Sequence, residues 1–127
     1  EMFGTVLGDA ICNVITLVDG LVVLGGGIIG SADLFMPAVL EQMRSEYTDF
    51  TESPYPRITQ KTFYLEDAEQ LDSFIQGRRK VIKVPGSDQE IAYDDMHRTG
   101  VGLSRLGTSN AIALGAYNYA LTNLDSI

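Results

Sequence analysis

The chain has no tryptophan, one cysteine and one histidine. A single cysteine excludes an internal disulfide and any metal site built from several thiolates. Cys12 falls in an apolar helical stretch and reads as an inert core residue. His97 stands in a polar stretch with no second histidine or cysteine near it, and reads as a surface or loop residue. Positive charge is also scarce. Nine basic against 17 acidic residues leave a net charge of −8, which argues against a phosphate-backbone surface and so against nucleic acid as a partner. No apolar run approaches the roughly 20 residues of a membrane-spanning helix. With no secretory signal pattern either, no membrane partner is expected and a cytoplasmic location is the default.

Glycine, in contrast, is plentiful, at 13 of 127 residues. It concentrates after the apolar run Leu21-Val22-Val23-Leu24, in Gly25-Gly26-Gly27-Ile28-Ile29-Gly30-Ser31. The run has the length and composition of a buried strand of a parallel sheet. Glycines at its end permit φ > 0 and leave no Cβ between the backbone and a ligand. A following helix start would add unpaired N–H groups, so the stretch suits a nucleotide-sized ligand.

Around this turn the pattern is that of one α/β domain. From Thr5 to Val18, the residues Val6, Leu7, Ala10, Ile11, Val14, Ile15 and Val18 form one broad apolar face, with Asp9, Asn13 and Thr16 opposite. Asp19-Gly20 turns this helix into the strand. Ser31 is placed as an N-cap with Asp33 behind it, and Met36, Val39, Leu40, Met43 and Tyr47 continue as a second helix. Pro37 predicts a kink or a late start there. Thr48 to Pro56 reads as a loop, and Arg57 to Leu65 as a strand. Asp67 to Gln70 resembles a capping box opening a short helix that Gly77 stops. Arg78-Arg79-Lys80 reads as a solvated helix end, and Val81–Val84 with Glu90–Tyr93 as a hairpin. Gly100 to Gly107 forms a second glycine-rich segment. A last helix, capped by Thr108 or Ser109, runs to about Leu124. Its small residues Ala111, Ala113, Gly115 and Ala116 suggest close approach to another backbone or a ligand. The predicted order is α-β-α-β-α-ββ-α with a mixed sheet.

Gly25-x-Gly27-x-x-Gly30 matches the dinucleotide-binding fingerprint. The rest of that unit is missing. A second apolar strand ending in an acidic residue should follow about 20 positions later, where Met43 to Pro56 is polar and proline-bearing. A Walker A loop is excluded because no Gly-Lys-Ser/Thr follows the glycines.

The stretches Leu7-Gly8-Asp9-Ala10-Ile11-Cys12-Asn13-Val14-Ile15, Leu17 to Ile28 and Ala111-Ile112-Ala113-Leu114-Gly115-Ala116 together resemble the C-terminal lobe of the ROK family of sugar kinases and repressors. These have the actin-like, ribonuclease-H-like ATPase fold. The resemblance covers Phe3 to Ile29 and Gly107 to Leu121, whereas the region from Asp49 to His97 is longer and more elaborate than it leads one to expect. It implies that ATP lies between two lobes, with the adenosine held by Gly25, Gly26, Gly27 and Ile28. Asn110 and Leu114 on the final helix are further implied contacts, with the small helical face packed beneath. The phosphate loop, the catalytic aspartate, the main sugar contacts and most of the Mg²⁺ site would come from the other lobe. No catalytic residue and no metal ligand is therefore assigned to this chain, and Asp9 and Asp19 receive neither role. The implied activity is that of an ATP-dependent hexose kinase acting on glucose or a related sugar, with homodimerisation compatible with the family. A sugar-responsive repressor is the non-enzymatic alternative, and a dinucleotide-dependent oxidoreductase a third. Since Glu1-Met2-Phe3 runs at once into a helical pattern, residues 1–127 are expected to be one C-terminal lobe cut from a two-lobe protein and inactive by itself.

Overall fold

A computed structural model describes residues 1–48 and 50–124. Asp49, at the start of the region singled out above, and residues 125–127 lie outside the described residues.

The first helix, α1 (Met2–Leu17), leads into strand β1 (Val22–Leu24), a 3-10 turn (Gly27–Ser31) and helix α2 (Ala32–Met43). Two short strands, β2 (Glu46–Thr48) and β3 (Pro54–Pro56), precede β4 (Lys61–Tyr64) and helix α3 (Ala68–Gln76). The strands β5 (Arg79–Lys83), β6 (Glu90–Asp94) and β7 (Arg98–Leu103) follow, and helix α4 (Thr108–Leu124) completes the order. β1, β7 and β4 form a parallel sheet in that spatial order, while β2–β3 and β5–β6 are separate antiparallel ribbons. Parallel neighbours require long crossovers, and the elaborate middle of the chain supplies them. The strands are thus mixed in direction, but across three sheets rather than one.

Alternation along β1, β4 and β7 sets the core. Val22, Leu24, Tyr64, Val101 and Leu103 turn toward α1 and α2, where they meet Ile11, Cys12, Ile15, Phe35, Met36, Val39 and Met43. On the opposite face Phe63 is buried and packs edge-on against Phe74 of α3, with ring centroids 5.8 Å apart. Cys12 is fully buried, and burial pushes its thiol upward, as suits an inert core residue.

The buried side of α1 is only part of the face its hydrophobicity predicts, since Ile11 and Ile15 are buried and Leu7 packs against the core. Val6, Val14 and Val18 are exposed, and Gly4 and Gly8 are buried with Ile11, Cys12 and Ile15. A Cβ on Gly8 would lie 2.8 Å from the Val39 carbonyl oxygen, and one on Gly4 would lie 2.5 Å from that of Phe35. Glycine at these positions lets α2 approach the α1 backbone directly.

Other expectations are revised as well. α2 starts at Ala32 and continues through the exposed Pro37, so no late start occurs; Tyr47 belongs to β2, and Ser31 makes no side-chain cap bond. The expected loop to Pro56 contains β3, where Tyr55 faces Tyr47 across the ribbon. A two-stranded ribbon has only edges, which is where proline is tolerated. The strand expected from Arg57 is shortened to Lys61–Tyr64. Arg57 instead reaches Asp9 of α1, with Nε and Nη2 donating to Oδ1 at 3.0 and 2.9 Å. That hydrogen bonding holds the Asp9 carboxyl below its usual range and raises Arg57.

Asp67 caps α3 as predicted, accepting from the Gln70 N–H at 2.9 Å, but the Gln70 side chain does not return the bond of a capping box, since the Asp67 N–H bonds the Tyr64 carbonyl; Gly77 ends the helix with φ 61°. Arg79 and Lys80, however, belong to β5, and Arg78 and Lys80 pair with Asp95 rather than remaining free at a helix end. The backbone of β4 is covered on its outer side. Lys61 and Leu65 donate N–H groups toward β7, so by alternation Thr62 and Tyr64 present theirs to the other side. There the Thr62 carbonyl accepts from Arg44 at 3.1 Å, and the Tyr64 N–H donates to Gln70 Oε1 at 3.0 Å.

The foot of the β5–β6 hairpin is fixed by Asp94. Its carboxylate accepts from Arg98 Nη1 at 2.7 Å and from the N–H groups of Met96 and Arg78 at 3.0 and 3.1 Å. The Arg98 bond first, then the two N–H groups, draw its carboxyl from 3.8 down to about 2. A carboxyl lowered by folding stabilises fully above the unfolded value and ceases to do so as pH falls through the folded one. Asp94→Asn should therefore flatten the acid limb of stability between pH 3.8 and about 2, leaving the two proteins' slopes parallel above that window. Urea midpoints measured across the acid range check this.

Candidate functional site

Three loops meet at the carboxyl ends of the parallel strands, the place where open α/β sheets receive ligands. Gly25 to Ile28 follow β1, Ser104 to Gly107 follow β7, and Leu65 to Asp67 follow β4. The connection after β1 leads to α2 on one face, and that after β4 leads to α3 on the other. A divergence of this kind is the switch point at which such sheets receive ligands.

Each loop is held by identifiable bonds. Gly26 has φ 113° and ψ −178°, a conformation reserved for glycine, and the Ile29 N–H closes onto its carbonyl at 3.4 Å. Gly25, Gly26, Gly27 and Ile28 are all exposed, and added Cβ atoms on Gly26 and Gly27 would meet nothing within 4 Å. The first glycine turn is therefore open and carries no side chain before Ile28. The residues after Gly27 form a 3-10 turn instead of entering α2 directly, as the sequence had suggested. Beside it, the Ser104 N–H donates to the Leu24 carbonyl at 2.8 Å, and the Ser104 Cβ lies 3.8 Å from where a Gly25 Cβ would stand. The two glycine segments are thus neighbours in space.

Asn110 and Leu114 lie on α4, which leaves this same end of the sheet after Gly107 (φ 71°). Every described residue of α4 is exposed, and nothing lies within 4 Å of a Cβ on Gly115. Within this chain the small helical face does not pack beneath the turn. The resemblance supplied that packing, and its partner is not among the described residues.

Sequence reasoning missed two participants. β7 was read only as a glycine-rich segment, yet it is the central strand, with Thr99, Gly100, Val101 and Gly102 buried. A Cβ on Gly100 would come within 2.8 Å of Leu65, so glycine here admits a leucine over the strand. Alternation of Thr99, Val101 and Leu103 was the available signal. Glu66 was the second omission, because its role depends on a partner 37 positions away.

His97 is placed at the opposite, amino end of the sheet. Its Nε2 stands 3.4 Å from Asp19 Oδ2, and its Nδ1 3.4 Å from Thr59 Oγ1. Gln60, which is buried, donates to the other Asp19 oxygen at 3.3 Å. Hydroxyl, imidazole and carboxylate occur in line, but more than half of each of the His97 and Asp19 side chains is exposed. The group ties the α1–β1 turn to the start of β7. A groove of about 610 Å³ also follows the outer side of β4, and Arg44 and Gln70, which line it, bond the strand's backbone as described above. It is sheet cover rather than a reaction centre.

No protein-family model matches the chain, nor does any curated protein sequence. Among solved structures, a glucokinase from Parabacteroides distasonis superposes with a TM-score of 0.75 at 33% identity, over 94% of this chain. This chain is glucokinase-like in fold. It spans 31% of the length of that glucokinase. Shared fold and identity together make this a sugar-kinase-like α/β unit, with its glycine turns at the ligand-receiving end of the sheet. Among its described residues no helix is long and apolar enough to cross a membrane, and no three His, Cys, Asp or Glu side chains cluster as metal ligands.

Proposed function

We propose that this chain is the nucleotide-binding, C-terminal lobe of an ATP-dependent sugar kinase of the ROK type, with a ribonuclease-H-like fold. The observation that carries the reading is the Gly25–Gly27 turn: open, without side chains, held at φ 113° by Gly26, and adjacent to a second glycine turn in a glucokinase-like fold. Such a turn admits the flat face of a nucleoside against the backbone. Ile28, 53% exposed, gives the base an apolar neighbour, and Asn110 and Leu114 complete the contact as α4 is brought in.

The phosphoryl acceptor in the longer protein is glucose or a related hexose. Its hydroxyl attacks the γ-phosphate directly while lobe closure excludes water. Mg²⁺ would neutralise phosphate charge in that reaction. Two carboxylates at this end of the sheet are already committed and do not fit the ion: Glu66 accepts from Leu103 and Arg105, and Asp67 caps α3. This lobe's share is to bind and orient the nucleoside; a cytoplasmic enzyme, dimeric in its longer form, is the setting.

A titration of the 127-residue chain by amide NMR tests the reading. Millimolar ATP is expected to shift the amides of Gly25–Gly27 and Ser104–Gly107, and NAD to shift them less. Preference for NAD, or ATP shifts confined to other residues, would sink the assignment.

A further inference from the structure

We infer that Glu66 is a positioning residue for the nucleotide site, latching the second glycine turn against the first. The inference rests on the reading above. The latch lies where the sheet's backbone bonding ends. β4 makes its last backbone bond to β7 through the Leu65 N–H and the Val101 carbonyl at 2.8 Å, and then turns away as the Asp67 N–H bonds the Tyr64 carbonyl. The next N–H on that side of β7 belongs to Leu103, and it has lost its strand partner. Glu66 Oε1 takes it at 3.0 Å. The following N–H, that of Ser104, points the other way and bonds Leu24, the residue before Gly25.

One carboxylate therefore extends the ladder by a rung, and that rung fixes the point at which the two glycine turns touch. Glu66 Oε2 also receives Arg105 Nη2 at 3.4 Å, which restrains the second turn from its exposed side. Glu66 is itself well placed to hold, with its side chain 27% exposed against 87% for Arg105. No glycine in either turn has a side chain with which to set its own position. Without Glu66, Leu103 and Ser104 have only one neighbouring strand to define them.

Three variants of the chain test this: Glu66→Ala, Glu66→Gln and Arg105→Ala, each titrated with ATP and with adenosine. Glu66→Ala should weaken both ligands about tenfold, the scale of one charge-assisted hydrogen bond, with a modestly lower urea midpoint but a transition that stays cooperative, so that a folded chain is titrated. Glu66→Gln keeps a carbonyl oxygen for the Leu103 N–H and should recover most of the affinity. A loss for ATP alone, matched by Arg105→Ala, would mean that charge rather than turn placement is at work, and would overturn the inference. Unaltered binding in Glu66→Ala would overturn it too. If the parent binds neither ligand, the nucleotide reading itself fails. The latch is then judged by hydrogen exchange at Leu103 and Ser104, which should quicken about tenfold in Glu66→Ala if it exists.

Discussion

Gly26→Val is expected to abolish ATP binding, and with it the phosphorylation of sugar by the longer protein. Two effects act together. The backbone at φ 113° and ψ −178° is closed to a β-branched residue, so the turn must rearrange at a cost of about 1–3 kcal/mol. The valine side chain also projects into open space, since nothing lies within 4 Å of a Cβ there. That space is where the nucleoside is proposed to sit. Gly26→Ala separates the two effects, because it keeps most of the backbone strain and little of the bulk. ATP titrations of both variants, beside their urea midpoints, provide the check. Unchanged affinity in Gly26→Val would remove the turn from the site.

Gly8→Val should strongly destabilise the packing of α1 on α2. The new Cβ would stand 2.8 Å from the Val39 carbonyl oxygen and 2.8 Å from Gln42 Cβ, so backbone as well as side chain must yield. Overpacking usually costs about 1–3 kcal/mol, and a rigid carbonyl puts this position at the upper end. Valine's gain in helix propensity over glycine is well under 1 kcal/mol and offsets little of that. The expected result is a urea midpoint clearly below that of the parent. Val14→Thr on the exposed side of the same helix should leave the midpoint nearly unchanged. A stable Gly8→Val protein would mean that α1 and α2 are not in backbone contact.

These two glycines mark the limits of what the sequence discloses. The turn at Gly25–Gly27 was legible because an apolar strand delivers it, and strand, turn and helix leave a local pattern. The Asp67 cap, the Gly77 stop and the β5–β6 hairpin were legible for the same reason. Gly8 was hidden because hydrophobic periodicity weighs side chains, and at this contact the informative feature is the lack of one. It drew attention to Val6 and Val14, which the fold leaves exposed. β7 was obscured in the same way, since Gly100 and Gly102 dilute a strand whose other residues alternate cleanly. Arg78 and Lys80 were misread because their partner, Asp95, lies beyond the hairpin. Of the site, its first turn could be read, whereas its second turn and the Glu66 latch depend on strands brought together from distant parts of the chain.

The bonds that Arg44 and Gln70 make to β4 give the parallel sheet a direction of growth. A strand adding beside β4 would have to displace both side chains from Thr62 and Tyr64. Beside β1, at the other end of the order, no described residue is paired, and Val23 is 66% exposed. One margin is sealed and the other is free. A further strand would therefore meet less obstruction next to Val22–Leu24, alongside the segment that carries the first glycine turn.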